Sequence, residues 1–198
     1  MKKLSDRRST SLILVSLLIA CLIAGCVVPS VNSFFTKDLE TDMPAIIGQW
    51  SLTESSMKED LNKQFTFTKD TIITPGEKGS GGILTSHFFK IDDMVFLDLI
   101  AAEAPQSNSF WWVLHITPMH TVSRVIVEEK TMKIIPLNAR WMEEEVKTKS
   151  VALPAVWHRE QKSYLFTASS AEWVEFLKKY GKDSQAFQEK DAFVFTRP

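Results

Sequence analysis

Asp98 and three histidines, His87, His115 and His120, have the side chains of this sequence best suited to acid–base chemistry or metal ligation. They lie on or beside successive apolar runs, ILTSHFFKI, MVFLDLIAA, FWWVLHITP and TVSRVIVEE. Neighbouring strands can bring two such groups within about 3 Å, the reach that proton transfer or a shared ligand requires. Asp98 is the most unusual of them. A carboxylate amid Phe96, Leu97, Leu99 and Ile100 either faces water on an alternating strand or lies inside with a partner, because an unpaired buried charge is costly. Alternation sets Asp98 with Met94, Phe96 and Ile100, which supports the inward, paired reading, with Arg124 or a histidine as partner. A structural ion pair is the plain use of that pairing and a general base the sharper one. His87 alternates with Thr85 and Phe89, and His115 with Val113 and Thr117, mixed faces whose direction alternation does not fix. Trp111 and Trp112 must point to opposite faces of one strand, one of them into the core. Asp98, His115, His87 and Trp112 are thus the candidate ligand-lining or buried polar residues, and no metal-ligand spacing accompanies them.

Other chemistry is excluded by what the chain lacks. Of 198 residues only two are cysteines, Cys21 and Cys26, and none follows Val27. A disulfide framework, a Zn–thiolate site and a cysteine nucleophile are therefore ruled out for the rest of the chain. There is no GxSxG elbow, HExxH pair, Walker loop or Rossmann glycine pattern, and nothing implies a cofactor. The glycine-rich GEKGSGG lacks the GK[ST] ending and precedes a strand, so it reads as a hairpin loop. A formal charge of −1 gives no footprint for nucleic acid.

The elements that position these residues are mainly strands. QWSLTE, QFTFT, TIITP, ILTSHFFKI, MVFLDLIAA, FWWVLHITP, TVSRVIVEE, MKIIPLN and DAFVFTR alternate with period two and are bounded by turns such as Lys69-Asp70, Asp92-Asp93 and Glu129-Lys130. Short connections make neighbours antiparallel, and a meander of around seven or eight such strands removes its exposed edges by closing into a barrel, with DAFVFTR as a final strand. Two helices interrupt it. NARWMEEEVK starts at Asn138 as N-cap with a narrow apolar face. In SSAEWVEFLKKYG, Ser169 and Glu172 have capping-box spacing, and Trp173, Phe176, Leu177 and Tyr180 form one apolar stripe. Lys178 and Lys179 suit the negative end of its dipole, and Gly181 suits the C′ position.

Residues 1–25 stand outside that pattern. MKKLSDRRSTS carries four basic residues against Asp6, a net +3, which leaves −4 on the remainder. LILVSLLIACLIAG follows as an apolar run, and the order of charge, apolar helix and small residues is that of a secretory signal. Ile23-Ala24-Gly25-Cys26 resembles the lipobox of bacterial lipoproteins. The resemblance implies that Cys26 receives an S-diacylglyceryl group, that residues 1–25 are removed, and that the new amino terminus is N-acylated. Two or three chains make such an anchor durable, since each buried CH₂ contributes about 0.8 kcal/mol. Val27 rather than Asp at the following position implies, in a host with two membranes, an outer-membrane anchor facing the periplasm. The competing reading is a retained transmembrane helix over Leu12–Val28, at the short limit for a span. Residues 26–45 read as the lipidated terminus and a tether, with local structure around Phe34 and Phe35.

Within 46–198, Gly48-Gln49-Trp50 opens the first strand and resembles the GxW motif of lipocalins and the wider calycin group. FLDL, the turn with Pro118 and His120, IIPL, a short helix with Trp and the TAS…YG helix follow in the order of small bacterial lipoproteins with lipocalin-like domains. The resemblance implies a mainly β fold, an antiparallel meander closed into a lipocalin-like barrel with one or two accessory helices. It further implies that Gly48, Trp50 and Arg197 close one end, the arginine lying over the indole. The chain departs from classical lipocalins in lacking their disulfide and long connections, which argues against a capacious cavity. The expected function is an envelope lipoprotein, not an enzyme, whose domain binds a small apolar ligand or an envelope protein. An Asp98/His enzyme site in the barrel and a purely structural module are the alternatives.

Overall fold

A computed structural model describes residues 27–55, 63–75, 82–102, 118–159 and 162–197. Eight strands form a closed barrel: β1 (Gly48–Glu54), β2 (Gln64–Phe67), β3 (Thr71–Ile73), β4 (Ile83–Ile91), β5 (Met94–Ala101), β6 (Thr121–Glu128), β7 (Thr131–Pro136) and, last in the chain, β10 (Phe193–Thr196). Each pairs antiparallel with its neighbours, in the order β1-β10-β7-β6-β5-β4-β3-β2. The mainly β, lipocalin-like barrel is therefore the architecture of this chain. Helix α1 (Ala139–Lys147) and helix α2 (Ser170–Tyr180) are the two accessory helices. The expected strand FWWVLHITP, with Trp112 and His115, lies outside the described residues. Among the described residues, β5 pairs directly with β6. Strands β8 (Ala155–His158) and β9 (Ser163–Phe166), which the periodicity reading passed over, form a separate hairpin.

Alternation sorts the strand residues into two cores. Trp50, Leu52, Phe67, Ile72, Phe88, Leu97, Val125, Met132, Ile134 and Phe195 point into the barrel. Phe89, Ile91, Met94, Phe96 and Ile135 point outward, and are covered by Trp173, Phe176 and Leu177 of α2 with Phe34 and Phe187. The outer face of this wall is thus as apolar as the inner one. Helix α2 begins with the expected capping box: the Ser169 N–H donates to Glu172 Oε2 at 2.7 Å and the Glu172 N–H to Ser169 Oγ at 3.3 Å. Gly181 ends it at φ −60°, an ordinary helical value rather than the left-handed C′ conformation expected. Glycine is needed there for space, since a Cβ would lie 2.8 Å from both the Phe96 ring and Met94 Sδ.

The segment read as a tether is packed against the barrel. Val28, Ser30 and Phe34 are buried, and Ser30 exchanges backbone hydrogen bonds with His120. The same strip bonds Phe166 of β9, so residues 28–31 join the barrel wall to the β8–β9 hairpin. Two phenylalanines and three valines within residues 27–35 supply the apolar surface that docks it.

Candidate functional site

The two ends of the barrel differ. At one end the 3₁₀ turn Pro44–Ile46 leads into β1, and Trp50 Nε1 donates to the Ile46 carbonyl at 2.7 Å. The Arg197 guanidinium lies over the indole, with Cζ 3.9 Å from the centroid of the Trp50 ring, and Nη2 donates to the Ala45 carbonyl at 2.8 Å. A stacked cation of this kind contributes about 0.5–2 kcal/mol, more as it is desolvated. Gly48 has φ +125°, a backbone region that L side chains rarely adopt, although a Cβ there would meet no atom within 4 Å. Gly48, Trp50 and Arg197 therefore occupy three different roles in the closed end: backbone conformation, filling and lid.

Above the layer formed by Trp50, Phe67, Phe88 and Leu97, the interior holds a cavity of about 370 Å³. Leu52, Phe65, Ile72, Leu84, Leu99, Ile134 and Phe193 line it, with Val27 and Val28 of the N-terminal strip at its mouth and Ser123 and Thr121 among its few polar neighbours. This volume falls at the small end of the roughly 300–1,000 Å³ typical of ligand pockets. Ser86 faces the same interior from β4, and its hydroxyl has no hydrogen-bonding partner among the described residues.

Asp98 is fully buried and paired, but it faces away from this cavity. Its register partners His87 and Val122 share the outer face of the wall with Phe96. Oδ1 lies 2.8 Å from His120 Nδ1, and Oδ2 accepts the Phe34 N–H at 2.8 Å. A carboxylate only accepts, so the Nδ1 proton of His120 occupies that bond. Asp98 is thus spent on fastening the N-terminal strip: one oxygen holds Phe34, the other orients the histidine that bonds Ser30 through its backbone. An Asp98/His site in the barrel interior is not what the geometry provides, because Asp98 lies on the outer face of β5, opposite the inward-facing Leu97 and Leu99. His87 lies across from Asp98 in register, yet its Nδ1 contacts Glu40 Oε1 at 2.8 Å near the surface. Neither His87 nor Asp98 lines the cavity. Arg124, the other candidate partner, instead donates Nη1 to the Gly181 carbonyl at 3.0 Å, where a cation complements the end of α2.

No cluster of three metal-ligating side chains occurs among the described residues. Ser30, next to His120 in the bridge, has its hydroxyl engaged by Asn32 O and Trp173 Nε1, so it is positioned as a buried brace rather than a nucleophile. The cavity-lining residues were the part missed from sequence. Their signal is present in hindsight as the inward set of alternating strands, but which half of that set remains unfilled depends on the three-dimensional layer heights. Compared against family models, curated proteins and solved structures, the chain matches none.

Proposed function

We propose that this protein is a lipid-anchored lipoprotein of the bacterial envelope, held in the outer membrane through Cys26 and facing the periplasm, whose barrel binds a small apolar ligand. The apolar cavity carries the ligand reading. Apolar side chains from all eight barrel strands line it. Burial of an acyl chain there contributes about 0.8 kcal/mol per methylene, without any charged group to fix a headgroup. The lipobox pattern at Ile23-Ala24-Gly25-Cys26 and the absence of any later cysteine support the anchor.

Titration with a fluorescent long-chain fatty acid tests the ligand reading. Wild-type protein should bind it and release it to unlabelled fatty acid. Leu84→Trp, which places an indole in the cavity, should weaken binding at least about tenfold, or ~1.4 kcal/mol. Equal binding by the two proteins, or none by either, would remove the cavity as a ligand site.

A further inference from the structure

Two serines mark the level at which the filled layer of the barrel gives way to the cavity. On β4, Ser86 lies between Leu84, which lines the cavity, and Phe88 of the filled layer. On β6, Ser123 lies between Thr121, another lining residue, and Val125 of the inner core. Ser123 itself lines the cavity, with Leu97 and Pro136 as its cross-strand partners. Ser86 pairs with Leu99, which lines it too. Both serines are buried, Ser86 at 2 % exposure and Ser123 at 8 %. Neither hydroxyl has a hydrogen-bonding partner among the described residues.

An unpaired hydroxyl in hydrocarbon is costly, and native interiors rarely keep one without a use. Space alone does not call for serine, because alanine would leave as much room without that cost. A hydroxyl at this depth gains its partner when a ligand brings a donor or acceptor down to it. An ion is the wrong partner. Leu97, Leu99, Val125 and Ile134 are the apolar neighbours at this level, and a serine supplies no counter-charge. A carboxylate or ammonium buried there would lose far more hydration than one hydroxyl returns. Size is bounded as well. At about 30 Å³ per heavy atom, the share of one water in its liquid, the cavity of about 370 Å³ accommodates about a dozen such atoms.

We propose that the ligand is an uncharged, medium-length apolar chain whose inner end bears a hydroxyl or carbonyl hydrogen-bonded to Ser123, with Ser86 as the second hydroxyl of the same floor. The inference rests on the reading of the cavity as a ligand site, and adds the polarity and orientation of what it holds. Serine serves either kind of group, since its hydroxyl donates to a carbonyl and accepts from an alcohol. The polar end of the chain therefore lies deepest, against β5 and β6, and the hydrocarbon fills the cavity above it.

The test titrates the full-length protein in detergent with 1-decanol labelled with ¹³C at its carbinol carbon, and Leu84→Trp reports uptake by the detergent alone. Wild type should show a bound carbinol signal with nuclear Overhauser contacts to the methyl groups of Leu97, Leu99 or Val125. Ser123→Ala should weaken binding of 1-decanol at least about fivefold, as loss of one buried hydrogen bond does, and Ser86→Ala combined with it should weaken binding further. A fluorescent fatty acid, whose ionised carboxylate does not reach this floor, should bind wild type and Ser123→Ala equally. The inference is overturned, and the cavity stands as a ligand site, under any of three results: equal affinity of wild type and the double variant for 1-decanol, contacts made by the methyl end of the chain in place of the carbinol, or fatty acid bound without 1-decanol. Equal weakening of both probes by Ser123→Ala would overturn the uncharged class. A wild type that takes up neither probe beyond the level of Leu84→Trp would remove the ligand site itself, and this inference with it.

Discussion

Asp98 shows how one buried side chain can look catalytic in sequence and be structural in the fold. Its burial and its need for a partner follow from a carboxylate set among Phe96, Leu97 and Leu99, and a histidine does meet it. The direction it faces does not follow, because β5 is apolar on both sides and alternation alone cannot say which side is the lumen. Removing Asp98 leaves the Phe34 N–H and His120 without their acceptor. Asp98→Ala should therefore cost about 3–5 kcal/mol in urea unfolding, the range for breaking a buried pair. A loss below about 1 kcal/mol would show that the N-terminal strip is not held by this carboxylate. Ser86 gives the opposite expectation. Its buried hydroxyl lacks a partner, so Ser86→Ala should leave stability unchanged or raise it by about 1 kcal/mol.

At the scale of elements, local chemistry was read well and docking was not. The capping box of α2, the Asn138 cap of α1 and the charged two-residue turns are each local patterns, and they appear where period and composition place them. The packing of residues 28–34 depends on partners 64 to 143 residues away in the chain, so no local period announces it. The capping box also predicts a pH response. The Ser169 backbone N–H, and after it the Ser169 hydroxyl, hold the Glu172 carboxyl below its ordinary value against a smaller opposing effect of burial. A depressed folded value means that Glu172 stabilises the protein above its unfolded pKa, about 4.3, and that this contribution is lost as pH falls through the folded value. Glu172→Gln should therefore lower the melting temperature at neutral pH and leave it close to wild type in strong acid. A difference that stayed constant across the titration would refute that role. Ser169→Ala should cost about 1 kcal/mol, as loss of an N-cap typically does.

Among the described residues the barrel interior is filled around Trp50, Phe67, Phe88 and Leu97 and holds a cavity beyond them, and that asymmetry is its most consequential feature. The closed barrel was legible from the number and spacing of alternating strands. The cavity was not legible, because it depends on how far the aromatic layer rises inside. Substitutions on one strand separate the two halves. Leu97→Phe, in the filled layer, should cost about 1–3 kcal/mol through overpacking, whereas Leu99→Phe, two residues on and facing the void, should be tolerated within about 1 kcal/mol. The most direct test of the account is mass spectrometry of the protein purified from its native membrane, run under both denaturing and native conditions. The account predicts an N-terminal peptide that begins at Cys26 with S-diacylglyceryl and N-acyl groups, and a lipid retained noncovalently by wild type but not by Leu84→Trp. An unmodified terminus with an empty barrel would contradict it.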